Sequence, residues 1–172
     1  IIMSLNISPE TKLGKLDSWD VESFLKGVDK TYSVKDKNGK ESAKLTTAEF
    51  KNFLKDNNVS ISTNGVLYTQ DRKGLIPTLL EKWFDDRVQF RKLAKKFADK
   101  GDKEKYAYFD RRQYIQKVVL NSLYGVLGLP VFRFYDLDNA EATTKTGVEL
   151  IKYTKSMSNH YYNSILNDKE DY

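Results

Sequence analysis

The sequence predicts an α+β fold that is predominantly helical. Two long amphipathic stretches on either side of Gly101 predict an antiparallel helical hairpin, and two short β-prone runs around Asn64-Gly65 predict a small β element beside it. A chain of 172 residues, 40% apolar and 31% charged, is long enough for one sizeable core or two small ones. We therefore expect a projecting helical hairpin between two mixed segments, with the chain divided into residues 1–76, 77–128 and 129–172.

Composition excludes several classes of site. The chain has no cysteine, so it forms neither disulfides nor thiolate metal sites, and its one histidine, His160, cannot build a histidine metal cluster. We expect no metal site, and we expect His160 to lie on the surface within its polar run. No apolar stretch approaches the ~20 residues of a membrane span. These observations predict a soluble, intracellular protein with no membrane partner.

The first segment has mixed character. Ile1–Ile7 is predicted to be extended and to end at the turn-forming pair Ser8-Pro9. Thr46-Thr-Ala-Glu49 is a capping-box pattern, in which a hydroxyl and a carboxylate satisfy exposed helix donors. A short helix should therefore follow Thr46 and end near Asn57-Asn58.

A β-hairpin is predicted next. Val59–Thr63 and Val66–Thr69 flank Asn64-Gly65, a pair that tolerates the positive φ angles of a two-residue turn. The polar, glycine-containing run 35–40 indicates a surface loop within a variable insertion.

The second segment is the predicted helical hairpin. It begins at Pro77, a residue suited to the first helical turn, and apolar residues then recur at helical spacing to Phe97. Asp99-Lys-Gly101-Asp breaks the pattern, which resumes at Tyr106 and continues to Gly125. Two arms of roughly 23 residues would each extend about 35 Å at ~1.5 Å per residue, so the hairpin should project from the body.

The third segment opens with the alternating run Val131–Tyr135, which predicts a strand. Asp138-Asn-Ala-Glu141 is a second capping-box pattern and predicts a helix that continues to about Leu166. Asp168 and Asp171 belong to a short charged run that predicts a solvated acidic end.

Positive charge is concentrated in the hairpin. Twelve Lys and Arg stand against six Asp and Glu between Lys82 and Lys117, a local net charge of +6 in a chain whose total is +5. A local cationic element is typical of proteins that bind phosphate-bearing partners, although solvated helix faces are commonly basic as well.

Four polar side chains of the hairpin are candidates for one phosphate site. Arg87 and Arg91 lie one helical turn apart, as do Lys117 and Asn121, and folding at Gly101 brings Arg87 to the height of Ile115 and Lys117. Arginine grips phosphate oxygens through a planar fork and lysine adds a compact positive charge, a combination that suits a triphosphate.

The same stretch carries a motif. Lys117-Val-Val-Leu-Asn121-Ser122-Leu-Tyr124-Gly125 resembles the K-x-x-x-N-S-x-Y-G motif B of family B DNA polymerases. Three further runs resemble, in the family's order, sequences of the replicative polymerases of large tailed phages: Ile1–Lys12, the pair Gly74–Pro77 with Trp83–Arg87, and Phe132–Ala140. The resemblance covers the whole chain and identifies it as the fingers and partial palm between motif A and motif C.

Several residue roles are implied by this resemblance. Arg87, Arg91 and Lys117 would bind the triphosphate of the incoming deoxynucleotide, and Asn121 would assist near the same group. Tyr124 would lie against the nascent base pair, and Gly125 would let backbone and duplex approach closely. Residues 1–76 and 129–172 would be palm pieces, with Thr144 and Gly147 in palm packing. Ser122 is expected to bond within its own helix.

The resemblance also implies components that this sequence lacks. The family's two-metal mechanism uses aspartates of D-x-x-S-L-Y-P-S and Y-x-D-T-D-S, and neither motif is present, so we expect no catalytic and no metal-binding residue in the chain and no activity from it alone. Two Mg²⁺ ions, primer-template DNA, deoxynucleotides, the remainder of the polymerase and a sliding clamp are the implied cofactor and partners. A viral polymerase would act in the host cytoplasm.

Two other interpretations remain open. The hairpin could be a noncatalytic basic module that binds nucleic acid backbone, with steep salt dependence and no nucleotide preference. Alternatively it could be a protein-interaction element in which Trp83, Phe84 and Phe97 form the contact.

Overall fold

The computed structural model describes residues 1–36, 39–42 and 44–166. It confirms the α+β, predominantly helical class: long helices accompany a small antiparallel sheet. The helices are α1 (Ile2–Leu5), α2 (Val21–Leu25), α3 (Thr47–Asp56), α4 (Leu75–Asp99), α5 (Lys103–Leu127) and α6 (Leu137–His160), which continues as a π-helix over Tyr161–Leu166. The strands are β1 (Lys12–Leu16), β2 (Thr31–Tyr32), β3 (Val34–Asp36), β4 (Leu45–Thr46), β5 (Val59–Ile61) and β6 (Val66–Thr69).

The main sheet has the antiparallel order β3-β1-β6-β5, and β2 pairs with β4 separately. The predicted hairpin of β5 and β6 is confirmed, but its turn is not a two-residue turn. Ser62 N–H donates to Val66 O at 2.9 Å and Gly65 N–H donates to Ser62 O at 2.9 Å, which leaves Thr63, Asn64 and Gly65 in the loop. Only Gly65 has positive φ, at 82°, as in the three-residue loop that ends in a left-handed glycine.

The capping box of α3 is confirmed. Thr46 Oγ1 accepts from Glu49 N–H while the Glu49 carboxylate accepts from Thr46 N–H, and the helix ends at Asp56 as predicted. The predicted loop at 35–40 begins later, since Lys35 and Asp36 belong to β3. Part of that loop and the predicted acidic end at Asp168 and Asp171 lie outside the described residues.

The predicted extended run at Ile1–Ile7 is wrong. Residues Ile2–Leu5 form the short helix α1, and Asn6, with φ of 58°, ends it in the left-handed conformation. The apolar run was ambiguous because short buried helices and strands share that composition. Ile2 and Ile7 lie on either side of this bend, and both are buried in the core.

The predicted strand at Val131–Tyr135 is also wrong. Phe132 N–H donates to Leu129 O and Tyr135 N–H donates to Phe132 O, both at 2.9 Å, so consecutive turns replace extended backbone. The turns still direct Phe132 and Phe134 onto the core, whereas Val131 is 93% exposed. The alternation of apolar and polar residues therefore predicts correctly which side chains are buried, but it does not require a strand.

Helix α6 begins two residues before the predicted start. Asp136 is its N-cap and accepts from Asn139 N–H at 3.2 Å, so Asp138 lies in the first turn and the predicted capping box does not form. Asp138 instead pairs with Lys12 and Lys15, a tertiary contact that competes with local capping. The predicted extent to about Leu166 is confirmed, and His160 is exposed as predicted.

The described residues form two hydrophobic clusters. The first joins α1, β6 and the bases of the long helices; its fully buried members include Ile7, Tyr68, Ile76 and Leu127. The second packs Leu16 and Leu67 of the sheet with Tyr32 and Phe50, whose ring centroids lie 5.1 Å apart, and Trp19 and Phe24 pack beside them. The first cluster anchors the helical hairpin, and the second attaches α2 and α3 to the sheet.

The helical hairpin is confirmed as an antiparallel pair, α4 and α5. Gly101, with φ of 71°, ends α4, and Asp102 N–H donates to Phe97 O at 3.0 Å in the manner of a Schellman motif. Asp102 then caps α5 by accepting from Lys105 N–H. Phe97 and Phe109 stack across the arms with centroids 5.5 Å apart.

The first turn of α4 is capped by residues distant in sequence. Its N-cap, Gly74, has no side chain to satisfy the free amides, but Gly74 N–H donates to Asn6 Oδ1 at 2.8 Å and Ile76 N–H donates to Ser8 Oγ at 3.4 Å. Leu75 N–H donates to a Glu10 carboxylate oxygen. Burial raises the pKa of Glu10, but the Leu75 amide and the Ser8 hydroxyl outweigh it, so the pKa is lowered overall. A Cβ on Gly74 would lie 2.6 Å from Ser8 Cβ, which excludes a larger residue.

The start of α6 is attached to the sheet by charge. Lys12 Nζ lies 2.9 Å from both an Asp136 and an Asp138 carboxylate oxygen, and Lys15 Nζ lies 2.6 Å from Asp138. Burial would lower the pKa of Lys12, but its bonds to the two carboxylates raise it overall. Tyr68 Oη donates to Asn139 Oδ1 at 2.8 Å in the interior, so the tether has a buried neutral component as well.

Asn6→Asp should strongly destabilise the fold, although the two side chains have nearly the same shape. Asn6 Nδ2 donates to Thr69 O at 2.7 Å and Arg72 O at 2.8 Å, and an aspartate would place an acceptor against both carbonyls. We expect the free energy of unfolding at neutral pH to fall by about 2–4 kcal/mol, measured by urea denaturation. Asn58→Asp is the matched control, because Asn58 is also left-handed, with φ of 48°, but it is exposed and its Nδ2 makes one solvent-screened bond, to Asp71 Oδ1 at 3.3 Å. Equal effects of the two substitutions would contradict the role of Asn6.

Asp138→Asn should reduce acid sensitivity. Burial raises the pKa of Asp138, but the ammonium groups of Lys15 and Lys12 outweigh it and lower the pKa below the usual value. A carboxyl with a lowered folded pKa stabilises above its unfolded pKa of about 3.9, and that contribution is lost as pH falls through the folded pKa.

Urea denaturation of the Asp138→Asn variant should show about 1–2 kcal/mol less stability at neutral pH and a smaller loss on acidification. Asp17→Asn removes the exposed 2.7 Å pair with Lys35 and should change stability by less than about 1 kcal/mol. An unchanged acid profile in Asp138→Asn would contradict the assignment.

Candidate nucleotide site on the helical hairpin

The register of the two arms sets the height of each candidate residue. A groove between the arms is lined by Asp86, Phe90, Arg112, Ile115 and Gln116. A second groove nearer the body is lined by Trp83, Val118, Val119, Ser122, Leu123 and Val126. These neighbours place Arg87 level with about Ile115, as the symmetry of the hairpin predicts.

Helix geometry assigns the candidates to one lateral side of the hairpin. Phe90 and Phe109 mark the faces where the arms meet, since their centroids lie 6.4 Å apart. At about 100° per residue, Arg87 and Arg91 lie roughly 60° and 100° around α4 from Phe90. The angles are measured about each helix axis in its own N-to-C direction, starting from the face that meets the other arm. For two antiparallel helices, equal angles of the same sign then point to the same side of the pair.

On α5, that rotation leads to the motif residues. Tyr124, Lys117 and Asn121 lie roughly 60°, 80° and 120° around the helix from Phe109, in the same sense. We call this surface the motif side of the hairpin, defined by Arg87, Arg91, Lys117, Asn121 and Tyr124. Its members come from both arms, so a ligand on this side would contact α4 and α5 together.

The three cations of the motif side are not neutralised by carboxylates of the described residues. None of Arg87, Arg91 and Lys117 forms a salt bridge with another of the described residues. Arg91, Lys117 and Asn121 are exposed, and Arg87 is half-buried. Arg87 Nε is buried and has no hydrogen-bond partner in the described part of the chain. A buried donor without an acceptor costs about 1–3 kcal/mol, so a shift of the Arg87 side chain that gave Nε an acceptor would be favourable.

Tyr124 is held by a residue of α6. Its hydroxyl bonds with Thr144 Oγ1, and Thr144 Oγ1 donates to Ala140 O at 3.1 Å. Because the Thr144 hydrogen is used in that second bond, Tyr124 donates to Thr144. The ring remains 40% exposed, so its orientation is restrained while a face stays open to a ligand.

Gly125 opens the surface beside Tyr124. A Cβ built on Gly125 would meet no atom within 4 Å, so none of the described residues requires glycine at that position. Ser122 bonds to Val118 O at 2.9 Å within its own helix, as predicted.

Sequence reasoning missed three residues that position the site. Asn6 and Ser8 cap α4, and Thr144 restrains Tyr124, whereas Thr144 was predicted only to serve in packing. Asn6, two residues before Ser8-Pro9, signals a turn, but the sequence does not identify the groups that it will bind, because those belong to residues more than sixty positions away.

Two wider searches of the described residues were negative. They contain no group of three or more His, Cys, Asp and Glu side chains placed to hold a metal ion. Across the same ranges, none of the helices combines the length and the apolar character needed to cross a membrane.

Comparison with known proteins gives a consistent result. The family model described as DNA polymerase family B matches residues 1–172. The DNA-directed DNA polymerase of Escherichia phage RB69 is 24% identical over 213 aligned residues, which cover 96% of this chain and 21% of that protein. The DNA polymerase of Fowlpox virus is 32% identical over 94 residues, covering 55% of this chain and 9% of that protein.

A solved structure agrees with the fold. The family B DNA polymerase from the hyperthermophilic archaeon Pyrobaculum calidifontis aligns with 90% of this chain at a TM-score of 0.57 and 23% identity. The alignment covers 16% of that structure's chain. The chain therefore spans about a fifth or less of the length of these relatives.

Proposed function

The chain belongs to DNA polymerase family B, and from that premise we propose that it forms the fingers and adjoining palm pieces of a DNA-directed DNA polymerase. Residues 77–128 would be the fingers, and 1–76 and 129–172 would be palm. The motif side of the hairpin would bind the triphosphate of the incoming deoxynucleotide. The observation that supports this most directly is that Arg87, Arg91 and Lys117 lie on one side of two antiparallel helices and form no salt bridge with another of the described residues.

Each residue has a role that follows from its chemistry. Arg87 and Arg91 would take non-bridging phosphate oxygens through their planar forks, and Lys117 would add a point charge from the opposite arm. Asn121, one turn from Lys117, would donate its amide to the same group. Because the cations come from both arms, bound triphosphate would hold α4 and α5 in one relative position.

Tyr124 and Gly125 would face the nascent base pair. The Tyr124 ring, restrained by Thr144, would pack against the pair, and the missing Cβ of Gly125 would let the duplex approach the backbone. Rotation of the hairpin about its base, where Asn6, Ser8 and Glu10 cap α4, would bring the motif side toward the palm. Closure on a correct nucleotide would then commit it to reaction.

Metal chemistry does not enter these steps. The described residues do not fit the two Mg²⁺ ions of the family, since they hold no cluster of acidic or histidine ligands. We assign those ions and the nucleotidyl transfer that they support to carboxylates in other segments of the polymerase. On this proposal the segment is inactive alone, and its partners are primer-template DNA, deoxynucleotides, a sliding clamp and the rest of the enzyme inside the host cell.

A second candidate is a basic helical hairpin that binds nucleic acid backbone without catalysis. The net charge of +6 between Lys82 and Lys117 favours it, and it predicts salt-dependent binding without nucleotide preference. The protein-interaction alternative loses support, because Phe97 stacks on Phe109 and Trp83 lines a groove between the arms. Of its three aromatic residues, Phe84 alone is largely exposed, at 47%.

Lys117→Ala in the intact polymerase should weaken nucleotide binding. Loss of one charge-assisted phosphate contact costs roughly 1.5–3 kcal/mol, so the apparent affinity for deoxynucleotide should fall about tenfold or more in single-turnover incorporation. Lys155→Ala removes an exposed lysine of α6 and serves as the matched control. Equal incorporation kinetics for Lys117→Ala and Lys155→Ala would remove Lys117 from the site.

Gly125→Ala should separate stability from activity. At an open helical position, alanine in place of glycine raises helix stability by about 0.8–1 kcal/mol, which thermal unfolding would register as a higher Tm. Incorporation efficiency should nevertheless fall, because the added methyl group meets the duplex. A variant that is more stable and fully active would rule out close approach of DNA at Gly125.

A further inference from the structure

The motif side continues toward the tip of the hairpin with the same chemistry. Lys95 lies one turn beyond Arg91 on α4, roughly 140° around the helix from Phe90. On α5, Tyr106, Lys103 and Tyr114 lie roughly 60°, 120° and 140° around from Phe109, in the sense that leads to Lys117. We call these four residues the distal track.

The distal track presents open aromatic rings between cations. Tyr106 is 43% exposed and Tyr114 is 59% exposed. Lys95 and Lys103 are exposed and form no salt bridge with any of the described residues. A tyrosine ring can stack on a planar ligand while its hydroxyl stays in water, so two of them on one side offer a surface for such a ligand.

Charge around the distal track is strongly positive. Residues 91–112 contain nine Lys and Arg against four Asp and Glu, a net charge of +5 that equals the total for the chain. Asp110 is the one carboxylate among the described hairpin residues that helix geometry assigns to the middle of this side, and it accepts from Gln113 Nε2 at 3.0 Å. Asp99 lies one turn beyond Lys95, at the tip end of the track, and Glu104 lies on another face by the same geometry.

We propose that the distal track binds single-stranded DNA, with bases stacked on Tyr106 and Tyr114 and phosphates beside Lys95 and Lys103. Aromatic rings interleaved with cations suit a single strand, whose bases are free to stack, whereas a duplex offers only its backbone and grooves. From Tyr106 to Tyr124 the side runs ~27 Å at ~1.5 Å per residue, so the strand would lead directly to the nascent base pair.

This proposal deepens the proposed function, on which it rests for the identity of the strand. An unpaired template must reach the site on some surface of the enzyme, and the distal track is continuous with the residues that would contact the templating pair. The strand would lie along the hairpin and move with it as the fingers rotate.

Binding of an oligothymidylate to the intact polymerase, measured by fluorescence anisotropy without primer, tests the proposal. Tyr106→Ala with Tyr114→Ala should weaken binding about fivefold or more for each ring, and phenylalanine at both positions should restore it. Tyr108→Ala is the matched control, because Tyr108 is 53% exposed but lies about 100° from Phe109 in the opposite sense. Equal affinity in the Tyr106/Tyr114 and Tyr108 variants would overturn the proposal.

The lysines are tested by salt dependence. Each phosphate contact on a single strand contributes about −0.7 to the slope of log K against log salt, so Lys95→Gln with Lys103→Gln should make the slope shallower by about 1.4. Lys92→Gln with Lys96→Gln, a pair on another face of α4, should leave the slope unchanged. An equal change in both pairs would mean diffuse attraction to a basic hairpin and would overturn the specific track.

Photocross-linking locates the strand directly. An iododeoxyuridine oligonucleotide should cross-link to peptides that contain Tyr106 or Tyr114, and cross-links confined to other peptides would overturn the proposal. Nucleotide affinity on a template with a single unpaired base should not change in the Tyr106/Tyr114 variant. Failure of Lys117→Ala would defeat the proposed function while leaving these binding and cross-linking results intact, so the two failures are distinguishable.

Discussion

The direction of the helical hairpin depends on the buried amide of Asn6. Its Nδ2 donates to the carbonyls of Thr69 and Arg72, and its Oδ1 accepts from Gly74 N–H, so one side chain joins the end of β6 to the start of α4. The amide is 3% exposed, and its backbone is left-handed, a conformation that asparagine tolerates better than most residues. The geometry of this bend therefore sets where a 25-residue helix begins and which way it points.

The second attachment of the hairpin runs through α6. Lys12 and Lys15 of β1 hold the first turn of α6 by its carboxylates, and Thr144, two turns further along, receives the hydroxyl of Tyr124. A residue of the motif is thus connected to the sheet through a helix that carries none of the motif itself. Any movement of the hairpin relative to the sheet would either carry α6 along or break the bond between Tyr124 and Thr144.

The contacts that hold the two arms together lie on a different face of the hairpin from the motif side. Side chains between the arms are aromatic and stacked, as in Phe97 on Phe109, and they hold the two helices together far from the core. The motif side, on which Arg91, Lys117 and Asn121 are exposed, lies about a quarter turn away from these contacts. Its side chains therefore contribute little to the packing between the arms.

Sequence alone determined the features that depend on local periodicity. The hairpin of α4 and α5, its break at Gly101, the capping box at Thr46 and the β5–β6 pair all follow from spacing and turn chemistry within short windows. The sequence also predicted the motif from Lys117 to Gly125 and the family of the chain, because both depend only on the order of residues.

Only the tertiary structure decided the rest. Ile1–Ile7 bends into a helix and Val131–Tyr135 into turns because their apolar side chains are drawn onto one core, and local pattern cannot distinguish these outcomes from strands. Asp138 pairs with Lys12 and Lys15 and is not the predicted N-cap, and Asn6 accepts a hydrogen bond from Gly74. Both contacts join residues distant in sequence, so they depend on which groups the fold brings together.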